Sequence, residues 1–362
     1  MINIAKPLMG AEEKTAVCDV IDSGALAMGQ VVKEFEQKFS QYIGCKYGIA
    51  TSNGTTALEV AIKSLGLNKG DKILTTSFSF IASTNSIIHS GAVPVFADID
   101  ENTFNISPEA IETALQKTSN IKALLIVHIF GQTCDMDTIM SVVKKHGLLL
   151  IEDCAQSHGA KWGGKNAGSF GDVACFSFYP TKNMTTSEGG MILTDSEKLS
   201  QGCRLLINHG MEIRYYHDIV GHNYRMTNIA AAIGLCQLEK LPSFNIKRKA
   251  NALYYDRNIK NPLITTPVNR EKSDHVYHQY TIKVPAVHRD AFIKHLEASG
   301  IGCGIFYPLS IPEQRCYSEM DFEKEYRVTD KVKQQVLSLP VHPGLSEEDI
   351  ALVVETINAF EV

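Results

Sequence analysis

The feature that most narrows the possible folds is a rhythm. From residue 71 to residue 151, short apolar runs alternate with stretches of helical periodicity. Asp71–Thr76, Val93–Ala97, Ala123–Val127 and Leu148–Ile151 read as strands, and Phe80–Ser90, Pro108–Gln116 and Met136–His146 between them read as helices. Strands that are apolar throughout, rather than on every second residue, are covered on both faces. The pattern therefore predicts an α/β fold with a mostly parallel sheet flanked by helices. Such sheets bind ligands at the carboxyl ends of their strands. Polar clusters fall at those ends: Ser52-Asn-Gly-Thr55, Ser77-Phe-Ser-Phe80 and Glu152-Asp-Cys-Ala-Gln-Ser-His158.

Upstream, an amphipathic piece over Glu12–Ser23 and a helix at 31–43, apolar at Val32, Phe35, Phe39 and Ile43, lead to the strand and turn Tyr47-Gly-Ile-Ala-Thr-Ser-Asn-Gly-Thr-Thr-Ala-Leu58. Free N–H groups where a helix starts, with the Thr55 and Thr56 hydroxyls beside them, suit a phosphate. N-capping by Ser52 or Asn53 accounts for the same residues without a ligand. Downstream, a helix is expected from Asn228 through Leu241, with a break near Pro242 and a continuation to about Ile259. Prolines at 262, 267, 285, 308, 312, 340 and 343 then mark a change of composition. The chain thus divides into a large domain over 1–245, with an N-terminal arm 1–12 packing on a smaller C-terminal α+β domain over 246–362.

Bulk composition excludes several classes. The 35 basic and 40 acidic residues leave a formal charge of −5 with no basic block, so no nucleic-acid partner is expected. No apolar run reaches membrane length and the first residues carry no signal pattern, so the expected location is the cytoplasm. Nine dispersed cysteines with no Cys-x-x-Cys pair suit a reducing compartment and offer no zinc site. His275 and His278 lack nearby companions and read as local polar residues, so no metal is expected.

One lysine stands out. Lys182 lies in Phe176-Ser-Phe-Tyr-Pro-Thr-Lys-Asn-Met-Thr-Thr-Ser-Glu-Gly-Gly190, between two buried apolar runs. Alone it fits a surface loop. With other polar groups at neighbouring strand ends, it also fits a desolvated amine that forms a Schiff base with a carbonyl compound. A ligand carrying both an aldehyde and a phosphate would satisfy the whole set, and pyridoxal 5′-phosphate is such a ligand. Asp153 is then the candidate partner of the ring nitrogen, since an opposite charge ~4 Å away at an effective dielectric of ~20 is worth about 4 kcal/mol.

The segments Ile151-Glu-Asp-Cys-Ala-Gln-Ser-His-Gly-Ala160, Gly168-Ser-Phe-Gly-Asp172, Phe176-Ser-Phe-Tyr-Pro-Thr-Lys-Asn183, Glu188-Gly-Gly190 and Gly221-His-Asn-Tyr-Arg-Met226 resemble the DegT/DnrJ/EryC1/StrS family of sugar-nucleotide aminotransferases. The resemblance implies fold type I of the pyridoxal-phosphate enzymes, with a seven-stranded sheet, and a cytoplasmic homodimer with shared active sites. It implies ping-pong transfer of an amino group from L-glutamate to a nucleotide-linked keto sugar. Lys182 would carry the internal aldimine and Asp153 would pair with the ring nitrogen. Gln156 would bond the ring oxygen or stack nearby, and Phe80 would cover the ring face. Gly54, Thr55 and Ser177 would hold the phosphate, joined by Asn223 from the second subunit. His158, Arg225 and Tyr307 would be substrate contacts. Two departures stand out: Ser187 replaces a common glycine, and Phe306-Tyr-Pro-Leu-Ser-Ile-Pro-Glu-Gln314 lacks the histidines this region often carries. A dehydratase subset replaces the lysine with histidine, and Lys182 argues against it. The alternatives are a relative acting on a cyclitol or aromatic-amine precursor ketone, and a non-catalytic regulatory relative. A nicotinamide enzyme is disfavoured, because no Gly-x-Gly-x-x-Gly follows the first strand.

Overall fold

The computed structural model describes residues 1–67 and 69–362. In chain order its helices are α1 Ala11–Ser23, α2 Gln30–Ile43, α3 Gly54–Ser64, α4 Ala82–His89, α5 Pro108–Lys117, α6 Met136–His146, α7 Glu197–Ile207, α8 Asn228–Asn258, α9 Ala286–Ala298, α10 Arg327–Val332 and α11 Glu347–Asn358. The strands are β1 Tyr47–Thr51, β2 Lys72–Thr76, β3 Val93–Ala97, β4 Ile121–Val127, β5 Leu149–Asp153, β6 Lys161–Trp162, β7 Lys165–Asn166, β8 Val173–Ser177, β9 Gly190–Thr194, β10 Ser273–Asp274, β11 Tyr280–Lys283 and β12 Val336–Leu339.

Seven strands form one sheet in the order β1-β9-β8-β5-β4-β2-β3. The pairs from β8 to β3 are parallel, and β9 runs antiparallel to both of its neighbours. This is the expected mostly parallel, doubly covered sheet. Because successive strand side chains point to opposite faces, each strand feeds two cores. Ile73, Leu125, Val127, Ile151, Val173 and Cys175 pack with α3 in one core, whereas Leu74, Leu124, Ile126 and Leu150 join Ile111 and Ile139 of α5 and α6 in another. Beneath β8 and β9, Phe176 and Met191 pack with Phe35 and Phe39 of α2 and Leu241 of α8.

The expected break at Pro242 does not occur, and α8 runs unbroken for 31 residues. Its buried positions Gly234, Leu238, Leu241, Asn245, Arg248, Ala252 and Tyr255 keep helical spacing on both sides of the proline, which itself faces solvent. Burial of that stripe outweighs the one backbone hydrogen bond that proline cannot make. Residues downstream build a further core around Tyr255, Ile282, Phe292, Leu337 and Ile357, into which Ile2 is also packed. There β11 and β12 pair antiparallel, and Ile2 bridges in parallel to Ile301. No helix among the described residues is long and apolar enough to cross a membrane.

Candidate active site

At the carboxyl ends of β5 and β8, on the α3 side of the sheet, lies a cavity of about 780 Å³. Gly54, Thr55, Phe80, Asp153, Gln156, Ser177, Lys182 and Tyr307 all line it. Strand alternation explains which polar residues reach it. Asp153 shares the cavity face with Ile151. Glu152 turns to the opposite face, where it accepts backbone N–H bonds from Gly168, Phe170 and Gly171 at 2.9, 2.7 and 2.8 Å.

Lys182 sits on the loop leaving β8. The loop is folded back on itself: Lys182 N–H donates to Tyr179 O at 2.9 Å, Thr186 N–H to Phe178 O at 3.0 Å, and Asn183 and Met184 are buried. The Lys182 amine makes no hydrogen bond or ion pair among the described residues. Burial pulls its pKa down to about 8, with Asp153 pulling the other way. Asp153 Oδ2 accepts from Ser83 Oγ at 2.7 Å and Oδ1 from Ala155 N–H at 3.1 Å. Burial raises this carboxyl group, while those two bonds and the Lys182 charge hold it down. The Ala155 bond makes Asp153 a turn-former as well as a cavity group. No helix follows it.

Helix α3 begins at Gly54, and Asn53 caps it by accepting from Thr56 N–H at 2.9 Å. The cap leaves the N–H groups of Gly54 and Thr55 without partners among the described residues. A Cβ on Gly54 would lie 2.7 Å from the Ser177 Cβ, so only glycine lets the helix end abut β8 and place those N–H groups beside the Ser177 hydroxyl. Gly190 is required for a related reason: a Cβ there would strike the Asn53 carbonyl.

Across the cavity, Gln156 Oε1 accepts from Phe130 N–H at 2.6 Å and its Nε2 donates to the Tyr307 hydroxyl at 3.2 Å. The Phe80 ring is 55% exposed and tilted against Tyr307, 6.1 Å between centroids. Free N–H groups at a helix start, a buried carboxyl group, an exposed aromatic face and an amine with a lowered pKa fit pyridoxal 5′-phosphate.

Three sequence candidates stand apart from this cavity. His158 is wholly buried between Phe39, Phe176 and Phe178, its ring nitrogens have no hydrogen-bond partner among the described residues, and burial drives its pKa down to about 3. It offers no surface for a substrate. Arg225 donates to Asn208 Oδ1 at 2.7 Å, and Asn223 is exposed on a bridge to Asn208, away from the cavity of its own chain. Conversely, the sequence reading passed over Ser83, one helical turn beyond Phe80, and His278, which lines the cavity from the segment before β11.

The sequence pattern of the DegT/DnrJ/EryC1/StrS aminotransferase family matches residues 7–358. A GDP-perosamine synthase of Caulobacter vibrioides is 38% identical over 366 residues, covering 99% of this chain and 97% of that protein. A pleiotropic regulatory protein of Geobacillus stearothermophilus is 38% identical over 347 residues, 94% of this chain and 92% of its own. The putative sugar aminotransferase Spr1654 of Streptococcus pneumoniae, solved in its PLP form, has a TM-score of 0.93 at 27% identity, covering 99% of this chain and 97% of that one. Sequence, fold and cavity agree, and the chain belongs to the DegT/DnrJ/EryC1/StrS aminotransferase family.

Proposed function

We propose that this pyridoxal-phosphate aminotransferase takes its amino group from L-glutamate and delivers it to a keto sugar carried on a nucleotide diphosphate, as a homodimer in which Asn223 completes the site of a second copy. The observation that carries the reading is the Lys182 amine, with a pKa of about 8, in the same cavity as Asp153 and the start of α3. The bound cofactor supplies an electron sink that makes the proton on the donor's α-carbon removable. The N–H groups of Gly54 and Thr55 with the Ser177 hydroxyl would hold its phosphate, whose negative charge the helix dipole favours. Asp153, oriented by Ser83 and the Ala155 N–H, would pair with the ring nitrogen and favour its protonated form. Gln156, fixed by the Phe130 N–H, and the exposed Phe80 ring would help hold the cofactor ring. Lys182 Nζ, its pKa lowered to about 8, would accept the α-proton and return it.

The test is conversion. Purified enzyme with glutamate and a panel of nucleotide-linked keto sugars should form 2-oxoglutarate and an amino sugar, both read by mass spectrometry, and Lys182→Ala should form neither. Turnover of a free cyclitol ketone but no nucleotide sugar would replace the substrate class. A wild-type cofactor spectrum unmoved by any amino donor would point to the non-catalytic, regulatory alternative.

A further inference from the structure

One titratable group on the cavity wall has no task in this scheme. His278 is buried, lies between β10 and β11, and lines the same cavity as Lys182. Its neighbours dictate which nitrogen holds the proton. Backbone carbonyls only accept, so Asn183 Nδ2 must be the atom that faces Val276 O at 3.2 Å, and it also donates to Asn245 Oδ1 at 2.9 Å. Asn245 is fixed in turn, because its Nδ2 faces His158 O at 2.8 Å. Asn183 Oδ1 is therefore an acceptor, and His278 Nδ1, 3.1 Å away, donates to it. Burial, and after it the Lys182 and Arg248 charges, hold this imidazole well below its ordinary pKa. A neutral ring protonated at Nδ1 carries a lone pair at Nε2, and that atom has no protein partner among the described residues.

The backbone at this point is held just as firmly. Arg248, buried and without an ion pair among the described residues, donates Nη1 to the carbonyls of Tyr277 and His278, each at 3.2 Å. Tyr277 N–H donates to His275 Nδ1 at 2.9 Å, and Tyr277 itself sits at φ 44°, a left-handed conformation that a side chain of its size occupies only under constraint. Contrast His128, a structural histidine. Its Nδ1 accepts from Cys134 N–H at 3.0 Å and its Nε2 lies 3.0 Å from Glu152, so no polar atom is left over. His278 is fixed in the opposite tautomer, protonated at Nδ1, and its other nitrogen is kept free.

We propose that His278 Nε2 is a recognition acceptor, taking a hydrogen bond from an O–H or N–H group of the substrate held beside Lys182, and that Asn183 is the positioning residue that fixes its tautomer. Two sources carry that chemistry: a hydroxyl of the keto sugar, or the ammonium group of the amino donor. The first rests on the substrate reading above, and the second does not.

The two sources separate in single-turnover half-reactions of the holoenzyme, followed by cofactor absorbance. His278→Asn keeps a donor for Asn183 and has no acceptor at the position of Nε2, whereas the longer His278→Gln carries one that far out. The expected result is about tenfold weaker substrate binding for His278→Asn in one half-reaction, with His278→Gln within about threefold of wild type. The half-reaction affected names the source. Nitrogen-15 histidine spectra of the wild-type holoenzyme should show an unprotonated Nε2 at neutral pH, and Asn183→Leu should mix the two tautomers. A protonated Nε2 in the wild type, or unchanged binding in both half-reactions for His278→Asn, would overturn the proposal. If the wild type converts no nucleotide sugar, the substrate reading fails by itself, and the donor half-reaction with the spectra then decides His278.

Discussion

Lys182 and Asp153 show how one residue's surroundings set its chemistry. An ordinary lysine is almost wholly charged at neutral pH, and burial moves this one to about 8. The sign has a consequence for the cofactor-free protein. Below about pH 8 the amine is charged whether the chain is folded or not, and the desolvation penalty is felt in full. Between about 8 and the ordinary value of 10.5 the folded form is already neutral while the unfolded chain still binds a proton, so stability rises with pH across that window. Acylation of Lys182 in the apo protein, followed by peptide mass spectrometry, should titrate with a midpoint near 8. A midpoint near 10 would mean that the amine is solvated and the cavity open. Local sequence showed a lysine on a loop between two apolar runs. It could not show the closure, which depends on Asn183 and Met184 being drawn into the interior. His158 teaches the converse, since its place in a polar cluster hid the three phenylalanines packed around it from α2, β8 and the residue after β8.

At the scale of elements, α3 and β8 make one end of the cavity by touching, the end proposed to take the phosphate. The helix start was visible as Ser52-Asn-Gly-Thr-Thr56, where Asn53 caps the helix and the next two N–H groups have no partner among the described residues. The demand for glycine was not visible, because the atom that forbids a side chain belongs to Ser177, more than a hundred residues away. Gly54→Ala should push α3 off β8 and weaken cofactor binding by about 10- to 100-fold, the equivalent of one charge-assisted hydrogen bond lost. Fluorescence titration of the apo protein measures this, and circular dichroism checks that the helix persists. Binding unchanged within about twofold would show that the helix end does not hold the phosphate. Strand alternation had a similar effect at the end of β5, sending Asp153 to the cavity and Glu152 to the loop at 168–171.

At the scale of the whole molecule, the first five residues tie distant parts together. Ile2 N–H donates to Gly300 O and Ile2 O accepts from Gly302 N–H, each at 2.8 Å, and His342 Nε2 lies 3.1 Å from Asn3 O. Ile4 and Ala5 then form part of the cavity wall. Removing residues 1–5 should cost about 2–3 kcal/mol through the lost backbone bonds and the exposed Ile2 site. It should also raise KM for at least one substrate. Urea unfolding and steady-state kinetics on the truncated protein check both effects, and a truncated enzyme with wild-type stability and KM would show that the arm is not part of the wall.

The alternation of apolar strands and helices was enough to specify a covered, mostly parallel sheet, because burial on both faces leaves its mark in composition residue by residue. The ordered motifs around Asp153 and Lys182 were likewise enough to specify the family and the cofactor. Tertiary structure alone decided the rest. It carried α8 straight through Pro242, it made glycine obligatory at 54 and 190, and it left Nε2 of His278 free on the cavity wall beside Lys182. Each of these depends on contacts between residues far apart in the chain, and such contacts leave no local pattern to read.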